Sequence, residues 1–347
     1  MSLLFILPLL SGFWSADKNE WLAILRIKLP LLFLPLAFAG PLNFSRKQWE
    51  YLGYVFIGLV TGAACLSIFH YLSNWAFVNE SYLKAKSIIT PLENDHVRFS
   101  WLVSTTILLA GWLFTLNIKE NKLVAWFLAG IAVWLIIFLH ILAARTGLIS
   151  FYIIAAGTGI WLMTIRMKRK YGQLILIVVI TLPIISYKVI PTFQNRVTYF
   201  LYDKGYFEKT HYLPGATDAV RIISIKAGWG ILKNNPLIGV GSGDVQQSAN
   251  QWYAENYPEM LETDKIRPSS EWLMYGVAYG LPGFLLFSMA MLIPFLVKTG
   301  YKLIWWLLNA TSAFSFLFDI GLEVQFGVFI YSFILLWWWK WMTTEKF

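Results

Sequence analysis

Residues 123–165 read LVAWFLAGIAVWLIIFLHILAARTGLISFYIIAAGTGIWLMTI. Two apolar runs, 123–143 and 147–165, are separated here by one short element that contains Arg145. Each run has about the 20 residues that a helix needs to cross the hydrocarbon core of a bilayer. The stretch therefore predicts two transmembrane helices joined by a tight turn that carries a charged residue.

Similar apolar runs recur along most of the chain, of which 58% is hydrophobic and 14% charged. A soluble domain carries about 25% charged residues. We therefore predict an all-α polytopic membrane protein with about ten transmembrane helices. No Lys or Arg precedes residues 3–14, so this run predicts a short first span rather than a cleaved leader. The other predicted spans are 23–42, 51–73, 100–117, 123–143, 147–165, 173–191, 271–296, 301–318 and 324–342.

One long polar segment, residues 191–270, interrupts the spans. The predicted domains are therefore an N-terminal transmembrane bundle (1–190), this segment, and C-terminal transmembrane helices (271–347). Basic residues crowd the loop at 166–170 and the other short loops on its side of the predicted topology. Because short cytoplasmic loops carry an excess of Lys and Arg, that side is predicted to be cytoplasmic and the long loop extracytoplasmic.

The long loop has predicted structure of its own. Residues 219–233 predict a partly amphipathic helix, with Thr217 or Asp218 as its N-cap. The sequence 234–236, Asn-Asn-Pro, is expected to end it. Such a helix would present Arg221 at the level of the lipid headgroups.

Charge and cysteine content exclude several functions. The formal net charge of +9 is explained by basic loops facing anionic lipid, so we predict the lipid bilayer and no nucleic acid as a partner. The single Cys65 lies in an apolar run, which excludes a disulfide framework and a cysteine metal site. No His, Asp and Glu spacing resembles a zinc motif, and we predict neither a metal site nor a cofactor.

Four arginines are candidates for binding an anionic group. Arg98 and Arg145 lie at predicted outer span ends, Arg221 opens the loop helix, and Arg267 precedes a span. A guanidinium group is well matched to phosphate or pyrophosphate. The alternatives are a snorkelling side chain for Arg145 and a solvated helix face for Arg221. We hypothesise that the four converge on the outer face.

Two further features of the loop bear on chemistry. The glycine-rich run 239–243 would suit a phosphate nest, but no strand precedes it, so it is not a dinucleotide fingerprint. A glycine-rich turn after Pro236 is the preferred interpretation. His96 and His211 are predicted to be extracytoplasmic and to be able to act as bases near neutral pH.

Several stretches, in this order and topology, resemble the O-antigen ligase and polymerase superfamily of bacterial membrane glycosyltransferases. No single motif is very specific, but together they cover most of the chain. They are SGFWS at 11–15, RTG at 145–147, Arg221 followed by PLIGVG at 236–241, EWL at 271–273 with GLPG at 280–283, and the acidic turn at 319–327.

The resemblance implies a GT-C-like, metal-independent glycosyltransferase in the bacterial inner (cytoplasmic) membrane, with its active site on the periplasmic face. Its donor would be an undecaprenyl-pyrophosphate-linked glycan, and loop and span-end arginines would hold the pyrophosphate. The preferred acceptor is lipid A-core, as in O-antigen ligation. The alternatives are a repeat-unit polymerase and an O-oligosaccharyltransferase. Two alternatives belong to other functional classes. One is a transporter of lipid-linked glycans, which would carry ionisable residues at mid-span. The other is an inactive assembly partner.

This sequence departs from the family at one motif. The family usually has a His-Asn pair before the span that carries Gly-x-x-Gly, but here Ser269 and Ser270 fill the two positions. A serine hydroxyl cannot serve as a general base near neutral pH. The candidate catalytic residues are Ser269, Glu271 and His211, unless catalysis needs no such base or the protein is inactive. The chain is also expected to be shorter at its N-terminus than the family usually is.

Overall fold

The computed structural model describes residues 1–91, 94–164, 168–210 and 212–344. These ranges are helical and contain no β-strand, which confirms the predicted all-α class. The α-helices are α1 Leu3–Ser11, α2 Lys18–Lys28, α3 Pro30–Ala39, α4 Arg46–Ser73, α5 Trp75–Tyr82, α6 His96–Asn117, α7 Lys122–Leu142, α8 Arg145–Thr164, α9 Arg169–Val189, α10 Pro191–Thr210, α11 Thr217–Asn234, α12 Val245–Asn256, α13 Glu271–Leu292, α14 Lys302–Phe318 and α15 Gln325–Thr344. Single 3-10 turns lie at Ser242–Asp244, Glu262–Asp264, Ile293–Leu296 and Gly321–Glu323.

In the described residues, seven helical segments are long and apolar enough to cross a membrane, so the predicted count of ten is not confirmed. α1 has nine residues, about 14 Å of helix, which is shorter than the hydrocarbon core. α14 has 17 residues. α15 contains the run WWWKW at 337–341, whose Trp and Lys side chains lower its mean hydropathy. The seven segments are Lys18–Ala39, Arg46–Ser73, His96–Asn117, Lys122–Leu142, Arg145–Thr164, Arg169–Val189 and Glu271–Leu296.

The described chain forms two compact units. Unit 1 comprises Met1–Leu42, Leu201–Lys298 and Ser312–Thr344. Unit 2 comprises Asn43–Phe200 and Thr299–Thr311. The predicted division at residues 190 and 270 was drawn from membrane topology rather than from contacts, and it stays a prediction.

In unit 1, α1 and α11 pack on α13, and α15 packs on α3. The helix α11 confirms the predicted loop helix and ends at Asn234, as the following Asn-Pro sequence predicts. The predicted N-cap is wrong, because the N-cap residue is Ala216 and no side chain caps there. A carboxylate from the preceding helix takes this part instead: Asp203 Oδ2 accepts the Asp218 N–H at 2.8 Å.

The membrane-spanning helix α13 is broken at Gly280, whose φ is 70° and ψ −162°. The carbonyls of Val277 and Ala278 accept hydrogen bonds of 2.9 Å from backbone N–H groups of segment 236–241. The Leu281 N–H donates to a carbonyl of the same segment at 2.7 Å. Within a bilayer, irregular backbone is tolerated where the protein itself satisfies its polar groups. The loop segment and the GLPG motif are therefore one structural element.

Gly280→Ala is expected to destabilise the protein by about 2 kcal/mol or more, because alanine disfavours a positive φ. A Cβ at this position would also lie 2.6 Å from Pro236 O, and that backbone atom cannot move without breaking the pairing. Thermal unfolding of the detergent-solubilised protein measures the effect. The matched control is Gly58→Ala in α4, where a Cβ would meet nothing within 4 Å. Equal losses in the two variants would contradict the explanation.

In unit 2, α6 packs against α7 and α8, and α9 packs against α8. α7 ends at Leu142, its C-cap Ala143 is in the left-handed conformation with φ 50°, and α8 begins at Arg145. A Cβ at Gly147 would lie 2.5 Å from Ser100 O, and the Gly147 N–H donates to Ser100 Oγ at 3.0 Å. The glycine of the RTG element therefore lets α8 approach α6 closely and fixes the position of Arg145.

Candidate functional site

The predicted site residues fall into two groups, one in each unit. In unit 2, Arg145 is exposed at the start of α8, and its guanidinium lies 5.5 Å from the centroid of the Phe200 ring. It lines a cavity of about 120 Å³ together with Arg196. The other lining residues are apolar: Ala143, Leu148, Phe193, Val197 and Phe200. The exposed surface of this cavity is apolar, so the two arginines line it with carbon atoms rather than with their guanidinium nitrogens.

Arg196 lies on α10 and contacts a backbone carbonyl and an aromatic ring. Its Nη1 donates to Ala85 O at 3.3 Å, and its guanidinium lies 5.7 Å from the centroid of the Tyr82 ring. Burial raises the pKa of the Tyr82 hydroxyl, which donates to Leu142 O at 2.8 Å. The ring beneath the guanidinium is thus neutral and fixed, so Arg196 is positioned before any ligand binds.

The predicted arginines Arg98 and Arg267 form ion pairs with carboxylates. Arg98 Nη1 lies 2.6 Å from Asp95 Oδ2, and the Arg98 N–H donates to Asp95 Oδ1 at 3.1 Å, so this pair closes the first turn of α6. Arg267 pairs with Glu20 on α2, within unit 1. Both side chains therefore have structural partners, and their role in pyrophosphate binding stays a prediction.

In unit 1, the structure brings Arg221 and Ser269 together through Ser224. Ser224 Oγ lies 2.8 Å from Arg221 O and 2.9 Å from Ser269 Oγ, and it accepts the Ser269 N–H at 3.1 Å. The Arg221 guanidinium donates to Phe318 O at 3.4 Å. Ser269, which stands where the family usually has a histidine, is therefore buried and hydrogen-bonded to α11, the helix that carries Arg221.

Glu271 is fully buried in an ionic cluster with Lys28 and Glu323. Lys28 Nζ lies 2.5 Å from Glu323 Oε1 and 3.8 Å from Glu271 Oε1. The same ammonium lies 4.7 Å from the centroid of the Tyr275 ring. Glu271 Oε2 accepts the Leu322 N–H at 3.1 Å. This Lys28–Glu271–Glu323 cluster joins α2, the start of α13 and the turn before α15.

The cluster bears on the predicted catalytic residues. A general base must come within hydrogen-bond reach of the proton that it takes, and the Glu271 carboxylate faces Lys28 inside unit 1. Its role as a base stays a prediction. His211 lies outside the described residues. Among those residues, no group of three or more His, Cys, Asp or Glu side chains could hold a metal ion, and metal independence also stays a prediction.

The glycine-rich run 239–243 packs against the connection between α1 and α2. The Asp244 carboxylate that follows it accepts the N–H groups of Ala16 at 2.6 Å and Asp17 at 3.0 Å. The Gly243 N–H donates to Ser15 Oγ at 3.2 Å. The run makes its contacts with protein groups, which supports the interpretation as a structural turn.

Residues 130–288 match the family model described as O-antigen ligase. The matched segment contains Arg145, Arg221, Ser269 and the glycine break at Gly280. This match supports the O-antigen ligase and polymerase superfamily for the chain. Comparison with curated proteins and with solved structures gives no match. The superfamily is one of membrane glycosyltransferases, which agrees with the membrane-spanning helices of the described chain.

Three residues beside the superfamily motifs were not assigned from the sequence: Lys28, Glu323 and Ser224. Lys28 had a usable signal, because an ionisable residue within an apolar run is costly unless it has a partner. Glu323 lies in the acidic turn already singled out, although nothing in the sequence names its partner. Ser224 had no signal, because a serine on a partly amphipathic helix is ordinary.

Proposed function

We propose that the protein transfers a glycan from undecaprenyl pyrophosphate to an acceptor hydroxyl at the periplasmic face of the bacterial inner membrane. Ligation to lipid A-core is the reaction that we propose first. The observation that carries the proposal is the family match, because residues 130–288 include Arg145, Arg221 and the Ser269 position in one segment. Polymerisation of repeat units and transfer to protein differ from ligation only in the acceptor.

The proposed reaction is a displacement at the anomeric carbon of the donor glycan. The acceptor oxygen forms a bond to this carbon, and the bond from the carbon to the pyrophosphate oxygen breaks. The leaving undecaprenyl pyrophosphate keeps the electron pair, and the acceptor hydroxyl loses its proton. Because negative charge develops on the leaving group, fixed positive charges and correct positioning provide most of the catalysis.

We propose that Arg145, with Arg196 beside it, and Arg221 bind the pyrophosphate. Arginine keeps its charge in a partly buried site and can bind two phosphate oxygens at once. The exposed position of Arg145 at the start of α8 supports this assignment. Arg98 and Arg267 belong to the same proposal, and binding of the pyrophosphate by either would open its ion pair with Asp95 or Glu20.

The proton of the acceptor hydroxyl needs a destination. The Ser269 hydroxyl cannot take it near neutral pH, and we propose that an oxygen of the departing pyrophosphate accepts it. His211 and Glu271 are the alternatives. If the departing pyrophosphate accepts the proton, the chain needs no histidine at the position of Ser269.

The decisive experiment is a transfer assay with the purified full chain and a pyrophosphate-linked glycan, read by product mass. Lipid A-core, the glycan itself and an acceptor protein are supplied in separate reactions. We expect lipid A-core to gain the mass of the glycan. Elongated glycan would identify a polymerase instead, and the absence of product with every acceptor would refute the proposed activity.

Ser269→His is expected to keep or raise the transfer rate, because it introduces a base where the family has one. General-base catalysis contributes about 100-fold or more when the base is well placed. Ser224→Ala should be combined with it, since the Ser224 hydroxyl lies 2.9 Å from Ser269 Oγ and would crowd an imidazole. The control is Ser269→Ala, which we expect to remain active. Loss of activity in folded Ser269→Ala and Ser269→His alike would show that the serine has its own role.

A further inference from the structure

A cavity of about 510 Å³ lies in unit 2, and neither Arg145 nor Arg196 of that unit lines it. Its walls are the C-terminal halves of α6 and α8 and the residues 300–307 around the start of α14. This volume falls in the range of about 300–1,000 Å³ that is typical of ligand pockets. Nothing in the proposed glycan transfer uses it.

The walls of this cavity are mostly apolar. The Thr115 hydroxyl donates to Trp112 O and the Thr158 hydroxyl to Ile154 O, each at 2.7 Å. Both hydroxyls are therefore engaged by their own helices. The remaining side chains include the rings of Trp112, Trp161 and Tyr301 and several aliphatic groups. Such walls favour a hydrocarbon chain over a polar ligand.

Gly111 keeps the cavity open. It lies on α6, and 78% of the residues in the most apolar stretch of that helix are buried. Residues 98–110, which precede Gly111, are all buried. Gly111 itself is exposed, and a Cβ there would meet nothing within 4 Å. The absence of a side chain at this one position of a closely packed helix leaves space for another molecule.

Lys302 is the charged residue of the cavity lining. It is exposed, and its ammonium lies 4.4 Å from the centroid of the Trp306 ring. Because α6 and α8 line the cavity with their C-terminal halves, the cavity lies toward the end of these helices that is followed by Lys119, Lys122, Lys168 and Arg169. This is the end that the positive-inside rule predicts to be cytoplasmic.

We propose that the cavity binds an acyl chain of an anionic glycerophospholipid of the cytoplasmic leaflet, whose phosphate pairs with Lys302. Basic pockets between transmembrane helices on the cytoplasmic side are suited to anionic headgroups. The site is not suited to the donor pyrophosphate. Arg145 begins α8, whereas the first lining residue on that helix is Ile154, about 14 Å further along its axis.

The test measures lipid retention by the purified full chain in detergent, by native mass spectrometry, with dioleoyl phosphatidylglycerol, dioleoyl phosphatidylcholine and undecaprenyl phosphate as competing probes. Gly111→Leu fills the cavity. Its matched control is Gly130→Leu on α7, another exposed glycine whose Cβ would meet nothing within 4 Å. Lys302→Gln removes the charge, with the exposed Lys122→Gln as its control.

We expect phosphatidylglycerol to be retained in preference to phosphatidylcholine. Gly111→Leu should abolish this retention, and Lys302→Gln should lower it about fivefold, the effect of one basic residue at an anionic surface. Both controls should retain lipid as the unmodified protein does. Equal retention of the two phospholipids, equal losses in Gly111→Leu and Gly130→Leu, or preferential binding of undecaprenyl phosphate would each overturn the proposal. Because the readout is binding, the result is independent of glycan transfer.

Discussion

Replacement of Lys28 by alanine is expected to destabilise the protein by about 3–5 kcal/mol, because it leaves buried carboxylates without their cation. The Lys28 side chain is fully buried, and it lies 2.5 Å from Glu323 and 3.8 Å from Glu271. Without the ammonium, two carboxylates would remain in a site that water does not reach. The apparent Tm in detergent and the yield of monodisperse protein measure the loss.

Glu271→Gln is the matched control for this prediction. The glutamine has the same shape, its amide oxygen can still accept the Leu322 N–H, and the cluster keeps one cation and one carboxylate. We expect a change within about 1 kcal/mol, the net value of an ordinary hydrogen bond. If the Lys28→Ala variant is stable and the Glu271→Gln variant is unfolded, neutralisation of the carboxylates by Lys28 does not stabilise the cluster.

A double replacement separates the charges from the packing. Lys28→Met with Glu323→Gln removes the closest ion pair and keeps most of the volume. Replacement of a buried ion pair by well-packed groups is often neutral, whereas removal of one partner is costly. We therefore expect the double variant to be more stable than Lys28→Ala. If it is equally unstable, the packing of the lysine stem matters more than its charge.

The cluster also connects the fold to the proposed reaction. Glu271 follows Ser269 and Ser270 directly, so Lys28 and the Leu322 N–H fix the first turn of α13 on which these serines depend. A loss of glycan transfer in a folded Glu271→Gln variant would support the predicted catalytic role of Glu271. Retained transfer would assign it a positioning role.

The helical class and the loop helix could be predicted because both depend on local sequence. Apolar runs predict membrane helices by length alone, and the Asn-Asn-Pro sequence at 234–236 predicts where α11 ends. The span count was less predictable. The apolar run at 3–14 forms a helix of only nine residues. The GLPG motif did not reveal that the span breaks at Gly280 or that segment 236–241 pairs with it.

The candidate site was predictable by residue type but not by partner. The four arginines were found from their positions at predicted outer span ends and in the loop. Their contacts depend on distant parts of the chain: Glu20, the partner of Arg267, is 247 residues away. Likewise, no local pattern places Glu323 beside Lys28, 295 residues apart. Such pairings are set by tertiary packing, and no periodic pattern in a single sequence reveals them.

Arg145→Ala and Arg221→Ala are each expected to lower kcat/KM for glycan transfer about 100-fold or more, because each removes a fixed charge that stabilises the leaving pyrophosphate. Membrane insertion should be unaffected. Arg145 is exposed, and the hydrogen bond from Arg221 to Phe318 O is long, at 3.4 Å. The in vitro transfer assay measures the rate, and detergent gel filtration checks the fold.

The controls remove basic residues from exposed positions outside the proposed site. Lys233→Ala lies on α11 with Arg221 but in its last turn, and Arg169→Ala lies at the start of α9. Both should transfer glycan at the normal rate. Full activity in Arg145→Ala or in Arg221→Ala would refute that residue's role in pyrophosphate binding.

The conservative variants Arg145→Lys and Arg221→Lys then test the kind of contact. Lysine keeps the charge but cannot bind two phosphate oxygens with one planar group, so we expect only partial recovery. If the arginines act mainly on the leaving group in the transition state, the loss will appear in kcat. If they bind the donor equally in the ground state and in the transition state, the loss of activity will appear as a raised KM with kcat unchanged. Because Arg196 lines the same cavity as Arg145, Arg196→Ala should show the same pattern as Arg145→Ala with a smaller loss.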